Sequence, residues 1–358
     1  INEFSTSAFS GSAPQGVTKD GNGNIWFTDP GSGAVGEVTS AGVVSEYTTS
    51  RGFTPQYITL GSDGNLYFTE NSSSHGEISQ INPTTHAITQ DATLGAFSFG
   101  VGITAGPDGN IWTVDTYNGF VLEMDISTHA TTFVNVTPAG LNEIAAGADN
   151  NLWVADWGSN SIDSVSTAGV THNYSLPTAS AGIYGVTAGP DGNVWFTEQS
   201  VGKIGKIDLS THAITEYPIS PASGTAAPVS ITTGADGNLW FTDQGTDFPT
   251  GGLGVMTTSG SVTEYQTPNS HPSGITDPNG TIWFAEGDPF IAQATFSFTN
   301  PTSSSNSSTS STKTTAGAPN TGFGAPRQFS VLDTALTVCG VSALAAGLLS
   351  LYRKARAL

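Results

Sequence analysis

DGNVWFTE, residues 191–198, decides the fold, because the chain writes the same phrase seven times. A small turn ending in Gly or Asn precedes an apolar residue and an aromatic. Further strand residues follow, and then an acid. The copies are NIWFTD ending at Asp29, NLYFTE at Glu70, NIWTVD at Asp115, NLWVAD at Asp156, NVWFTE at Glu198, NLWFTD at Asp243 and TIWFAE at Glu286. Their aromatics, Trp26, Tyr67, Trp112, Trp153, Trp195, Trp240 and Trp283, are separated by 41, 45, 41, 42, 45 and 43 residues. A period of about 40–45 residues with strand-like content is the signature of propeller blades of four strands each. The spacing therefore predicts an all-β, seven-bladed β-propeller over residues 1–298.

One blade can be read outward from that phrase. IYGVTAG is its first strand, and Asp191-Gly192 makes the tight hairpin turn, since Asp-Gly tolerates positive φ. NVWFTE is the second strand, GKIGKID the third and ITEYPI the fourth. Fourth strands recur six times, as VVSEYTT, AITQDAT, ATTFVNV, VTHNYSL, AITEYPI and SVTEYQT. The seventh blade ends after its third strand, near IAQATF, whereas INEFST at residues 1–6 has the missing shape. The N-terminal strand is thus expected to close the ring, which removes an exposed sheet edge.

Charge is lopsided. Residues 1–298 carry four basic residues, Lys19, Arg51, Lys203 and Lys206, against 28 acidic ones. Such a surface repels nucleic acid and anionic lipid heads and attracts cations; it also keeps an exported domain soluble. The single cysteine, Cys339, excludes a disulfide framework. A first residue that is Ile1 rather than Met suggests a removed leader.

Composition changes after Phe298. Residues 301–315 hold 12 Ser or Thr in 15 positions and read as a disordered linker over 299–317. Residues 334–352 are uncharged, long enough for a transmembrane helix of about 28 Å, and followed by Arg353, Lys354 and Arg356. Basic residues stay on the cytoplasmic side, which would put the propeller outside the cell. Ahead of that helix stands APNTGFG, with Pro319, Thr321 and Gly322. Residues 318–358 together resemble a sortase-type cell-wall sorting signal, with Ala318 in place of the usual Leu. That resemblance implies a sortase partner, cleavage after Thr321 and linkage to the cell envelope.

Blade geometry places candidate chemistry on one face. Asp-Gly turns join first and second strands at one end. The second-strand acids and the entries of the first strands then meet at the other, around the central channel. The entry slots are Gln15, Gln56, Val101, Asn142, Tyr184, Val229 and Ser273. A ring of carboxylates there would suit Mg²⁺ or Ca²⁺. Alternatively, each acid accepts hydrogen bonds from its own turn, and repetition in all seven blades favours this. His86, His129 and His212 share one turn slot on the far face and read as structural. His172 lies in a fourth strand. His75 has no evident partner. His271 stands at the mouth of the last first strand.

The phrases ITAGPDGN-IWF, GKIGKID and ITEYPI resemble the streptogramin B lyase family (virginiamycin B lyase-like propellers), across all seven blades. The resemblance implies elimination from a cyclic depsipeptide, with a His base and Mg²⁺ held near a Glu. Alignment places Ser273 at the family's base and Val229 at its second His. His271 stands where a Glu precedes the base, and Gly287, just past Glu286, where a Glu follows the strand. A displaced site of His271 with Glu286 and Asp243 would be needed for catalysis. The expected function is therefore binding or display at the cell envelope with the family catalytic residues lost. The rim of Gln15, Gln56, Tyr184 and Ser273 would meet a glycan, peptide or other polar ligand. The alternatives are a metal-assisted lyase opening a cyclic ester and a structural spacer in a surface layer.

Overall fold

The computed structural model describes residues 1–296 apart from 50–51, 73–74, 97–99, 137–139, 220–224, 246–250, 269–270 and 288. The expected linker, sorting signal and transmembrane helix lie outside the described residues. Among the described residues no helix is long and apolar enough to cross a membrane.

Seven four-stranded antiparallel sheets form the blades of an all-β propeller. In six of them the four strands follow in chain order. Blade five, for example, contains Ile183–Ala188, Val194–Glu198, Lys203–Ile207 and Ile214–Pro218. The seventh sheet takes Ile275–Thr276, Thr281–Glu286 and Phe290–Thr295 from the end of the chain, and its outer strand, Asn2–Ser5, from the beginning. Asn2 pairs with Gln293 and Ser5 with Phe290, as the repeat count requires. Phe4 stacks on Trp283 with ring centroids 5.1 Å apart, so closure buries apolar surface as well as pairing an edge.

Hydrophobic clusters lie between blades. Trp153 of blade four packs with Val194, Phe196 and Ile207 of blade five, and Trp195 in turn with Leu239, Phe241 and Met256 of blade six. Burial of such aromatics contributes on the order of 3 kcal/mol each in transfer free energy. The Asp of the hairpin turn has a second role. Its carboxylate accepts the indole Nε1–H of the repeat tryptophan, at 3.2 Å for Asp20–Trp26 and 2.9 Å for Asp191–Trp195. Fourth-strand tyrosines stack on the same indoles, Tyr217 on Trp195 at 5.5 Å and Tyr47 on Trp26 at 5.8 Å. Of the turn histidines, His86 stacks on Tyr47 at 4.3 Å, and His129 Nδ1 lies 3.4 Å from Asp91. His212 lies 4.9 Å from Tyr174, so all three contribute to contacts between side chains of the scaffold.

Candidate functional site at the channel mouth

First-strand entries and second-strand ends share one face. Leu141 pairs with Asp156, Ile183 with Glu198 and Pro228 with Asp243. Directly after the entry, the first strands of blades two to six carry a bulge, where the register shifts by one residue. A second-strand threonine pins it in several blades. Gly185 N–H donates to Thr197 Oγ1 at 2.8 Å, and Thr197 Oγ1 donates to the Val229 carbonyl of the next blade at 2.6 Å. Thr28 repeats both bonds, to Gly16 at 2.9 Å and the Gln56 carbonyl at 2.6 Å. Thr69 does so with Tyr57 at 3.3 Å and the Val101 carbonyl at 3.1 Å.

The residues that follow the slots, in the bulge of blades two to six, are Gly16, Tyr57, Gly102, Glu143, Gly185, Ser230 and Gly274. The glycines let neighbouring strands approach. A Cβ on Gly185 would lie 2.4 Å from the Val229 carbonyl oxygen, and one on Gly102 2.7 Å from the Glu143 Cα. The three remaining positions border a cavity of about 110 Å³, together with an apolar layer that includes Ile58, Ile144 and Ile231.

A polar network spans this cavity. The hydroxyls of Tyr57 and Tyr184, on blades two and five, lie 3.1 Å apart. Ser230 Oγ donates to Glu143 Oε1 at 3.2 Å, and the Val186 N–H approaches Oε2 at 3.4 Å. Tyr57 also interacts with Glu143 and with Gln15, so the network reaches five blades. Burial pushes the Glu143 carboxyl from 4.5 up to about 7, partly offset by Ser230, Val186 and Tyr57. Burial likewise raises the two phenols, and most strongly Tyr57. Glu143 nevertheless keeps part of its surface open to the channel. The threonine clamp is missing on both sides of its bulge, where Val114 and Ala155 replace Thr. Asn142 Nδ2 instead ties that strand to the Ile183 carbonyl at 2.9 Å.

Of the expected rim residues, Gln15 and Tyr184 join this network. Gln56 folds back on Thr54, 3.2 Å from its carbonyl. Ser273 Oγ donates to the Gln15 carbonyl at 3.3 Å. His271 is exposed with φ of 60°, and its carbonyl receives the Gly287 N–H at 3.2 Å. Asp243 is buried, and its Oδ1 accepts the N–H groups of Ala227 and Gly245, each at 2.7 Å. Glu286 is fully buried. Two backbone donors on one carboxylate oxygen, and a second carboxyl sealed from solvent, do not fit a magnesium ion that retains several waters. Among the described residues no three His, Cys, Asp or Glu side chains gather as a metal site. Pro319, Thr321 and Gly322 lie outside the described residues.

The strand-end acids divide by type. The aspartates accept from their own turns: Asp29 from Gly31 and Ser32, Asp115 from Tyr117 and Asn118, Asp156 from Ser159 and Asp243 from Gly245. The glutamates, one methylene longer, do otherwise. Glu70 receives the Ser79 hydroxyl at 2.5 Å, whereas neither oxygen of fully buried Glu198 has a hydrogen-bond partner. Burial and the Glu216 charge push Glu198 from 4.5 up to about 7, against the pull of Lys203. His75 does have a partner, contrary to expectation: its Nε2 lies 3.0 Å from Glu77 Oε1. Sequence reasoning missed Tyr57, Glu143 and Ser230. The available signal was their break in the glycine pattern one residue past each slot.

Comparison with known proteins agrees with this architecture. No curated protein sequence matches the chain. The crystal structure of selenomethionine-substituted virginiamycin B lyase from Staphylococcus aureus is 28% identical, with a TM-score of 0.75 over 82% of this chain and 98% of that one. A catalytically inactive histidine-to-alanine variant of virginiamycin B lyase from Staphylococcus aureus, solved with quinupristin, is also 28% identical. Its TM-score is 0.74, over 82% of this chain and 98% of that one. The extracellular domain of a putative one-component system from B. thetaiotaomicron, 13% identical, shares the fold alone, with a TM-score of 0.65 over 82% of this chain and 42% of that one. The profile of the Virginiamycin B lyase family matches residues 1–182 and 98–295. With blades, closure and sequence pattern in agreement, the chain belongs to the virginiamycin B lyase family.

Proposed function

We propose that this propeller binds a peptide-like ligand at the channel mouth without opening it by the family's elimination. The observation that carries the reading is Ser273. It occupies the slot where the family resemblance places the catalytic base, and its hydroxyl is engaged with the Gln15 carbonyl. A serine hydroxyl is far too weak a base to take an α-proton near neutral pH. The histidine-to-alanine variant of the staphylococcal relative, inactive and solved with quinupristin, supports a scaffold that can lose its chemistry and keep a ligand. Residues 299–358 serve in this reading as linker and envelope anchor, with Thr321 the residue joined by a sortase. A mass spectrum of the native protein that still contains residues 322–358 would remove the sortase step.

The test is calorimetric titration of the full chain with quinupristin, with and without Mg²⁺, followed by chromatography of the ligand. Elimination does not change the mass, so the linear isomer must be separated. The expected result is saturable binding and intact ligand. Ring opening that disappears in His271→Ala would overturn the reading in favour of a lyase rebuilt around His271. Absence of binding would remove the cyclic depsipeptide from the ligand class.

A further inference from the structure

We propose that Glu143, Ser230, Tyr57 and Tyr184 form an axial subsite that receives a primary ammonium group of the ligand. The proposal deepens the binding reading above by naming the chemistry at the floor of the same mouth. Glu143 is the one charged side chain lining the cavity, and no cation compensates it among the described residues. The described basic residues of the propeller are engaged elsewhere. Lys203 lies 2.7 Å from Glu216, Lys206 3.8 Å from Asp191, and Lys19 donates to the Pro278 carbonyl at 3.0 Å. No described residue supplies the counter-charge, and a cationic ligand would. Burial without that charge holds the carboxyl up near 7, and an arriving cation would ionise it.

Size and donor chemistry narrow the guest. A cavity of about 110 Å³ accepts a small guest, being smaller than the roughly 150 Å³ apolar cavity that holds a benzene. A divalent metal wants six or more oxygens, and the lining offers one carboxylate and two hydroxyls amid glycines and an apolar layer that includes Ile58, Ile144 and Ile231. A guanidinium binds best with both oxygens of one carboxylate side by side. The oxygens of Glu143 instead face different donors, Ser230 and Val186. An ammonium is a compact charge with three N–H donors. The carboxylate, the Ser230 hydroxyl and the two phenols offer it acceptors on different blades. With four basic residues against 28 acidic ones in residues 1–298, the field of the whole propeller also draws cations inward.

The test is titration of the full chain with n-propylammonium at pH 8, followed by calorimetry. One saturable site is expected, weakened about tenfold or more in Glu143→Gln, with Tyr184→Phe as a second variant should the first fail to fold. Equal affinity in a folded Glu143→Gln protein, no saturable heat, or displacement by an equal concentration of potassium would each overturn the proposal. Quinupristin binding without ammonium binding removes the subsite and leaves the mouth. Ammonium binding lost in Glu143→Gln, without quinupristin binding, leaves the subsite and removes the depsipeptide.

Discussion

Thr197 holds two blades with one hydroxyl. It satisfies the Gly185 N–H that the bulge removes from the ladder and donates across to Val229. Both partners are buried, so neither has water to replace the loss. Thr197→Val keeps the shape and removes both bonds. It is expected to destabilise by about 1–3 kcal/mol, read as a lower urea midpoint with unchanged m-value. The same bulge explains why the floor of the site was hard to read. The slot alignment picked out Gln15 and Tyr184 because it followed one repeat position, at the entry of each first strand, from blade to blade, whereas a regular strand alternates with a period of two. An extra residue breaks that alternation, and Glu143 falls one step beyond Asn142. Nothing in the spacing of aromatics marks it. Only the register shift between Leu141 and Ile144 turns it into a channel residue.

At the scale of the element, the blade repeats more than its aromatic. The acid that ends the second strand often faces another acid. Glu46 of the fourth strand lies beside Asp29, Asp163 of the third beside Asp156, and Glu198 beside Glu216. Burial, then the neighbouring Asp29, pushes Glu46 from 4.5 up to about 8; burial, then the Asp156 charge, raises Asp163 from 3.8 to about 7. A carboxyl whose folded pKa is raised binds more protons folded than unfolded. Its contribution is full below the unfolded pKa and fades as pH rises through the folded value. Glu46→Gln, which fixes the neutral form, is expected to flatten the fall of Tm between about pH 5 and 9. The closing strand is the other test at this scale. The strand count located it correctly, because six fourth strands for seven blades leave one vacancy that only residues 1–6 fit. Deleting residues 1–6 is expected to lower Tm and cause concentration-dependent association through the bared edge of Phe290–Thr295. Light scattering over a dilution series reads it.

Across the whole molecule the raised groups act together. Glu46, Glu143, Asp163 and Glu198 titrate folded near 7–8. Asp191 and Glu216 lie below their usual values through hydrogen bonds and lysine charge, despite burial that opposes the shift. Their stabilisation disappears only as pH falls through those low values. The stability maximum is therefore expected between about pH 4.5 and 6, checked by thermal melts of the full chain. A Tm that climbs steadily from pH 5 to 8 would contradict the raised carboxyls.

Closure also has a consequence for folding. Each of blades one to six can complete itself from its own four consecutive strands. Blade seven cannot, because Asn2 must wait for Gln293. The entropy of so long a loop grows only logarithmically with its length, but the search for so distant a partner is slow. Until then a folding intermediate is an open ring with an unpaired strand edge, exposed to proteases and other copies. A chain that lacks its last blade cannot shut, so the arrival of Phe290–Thr295 is itself the latch.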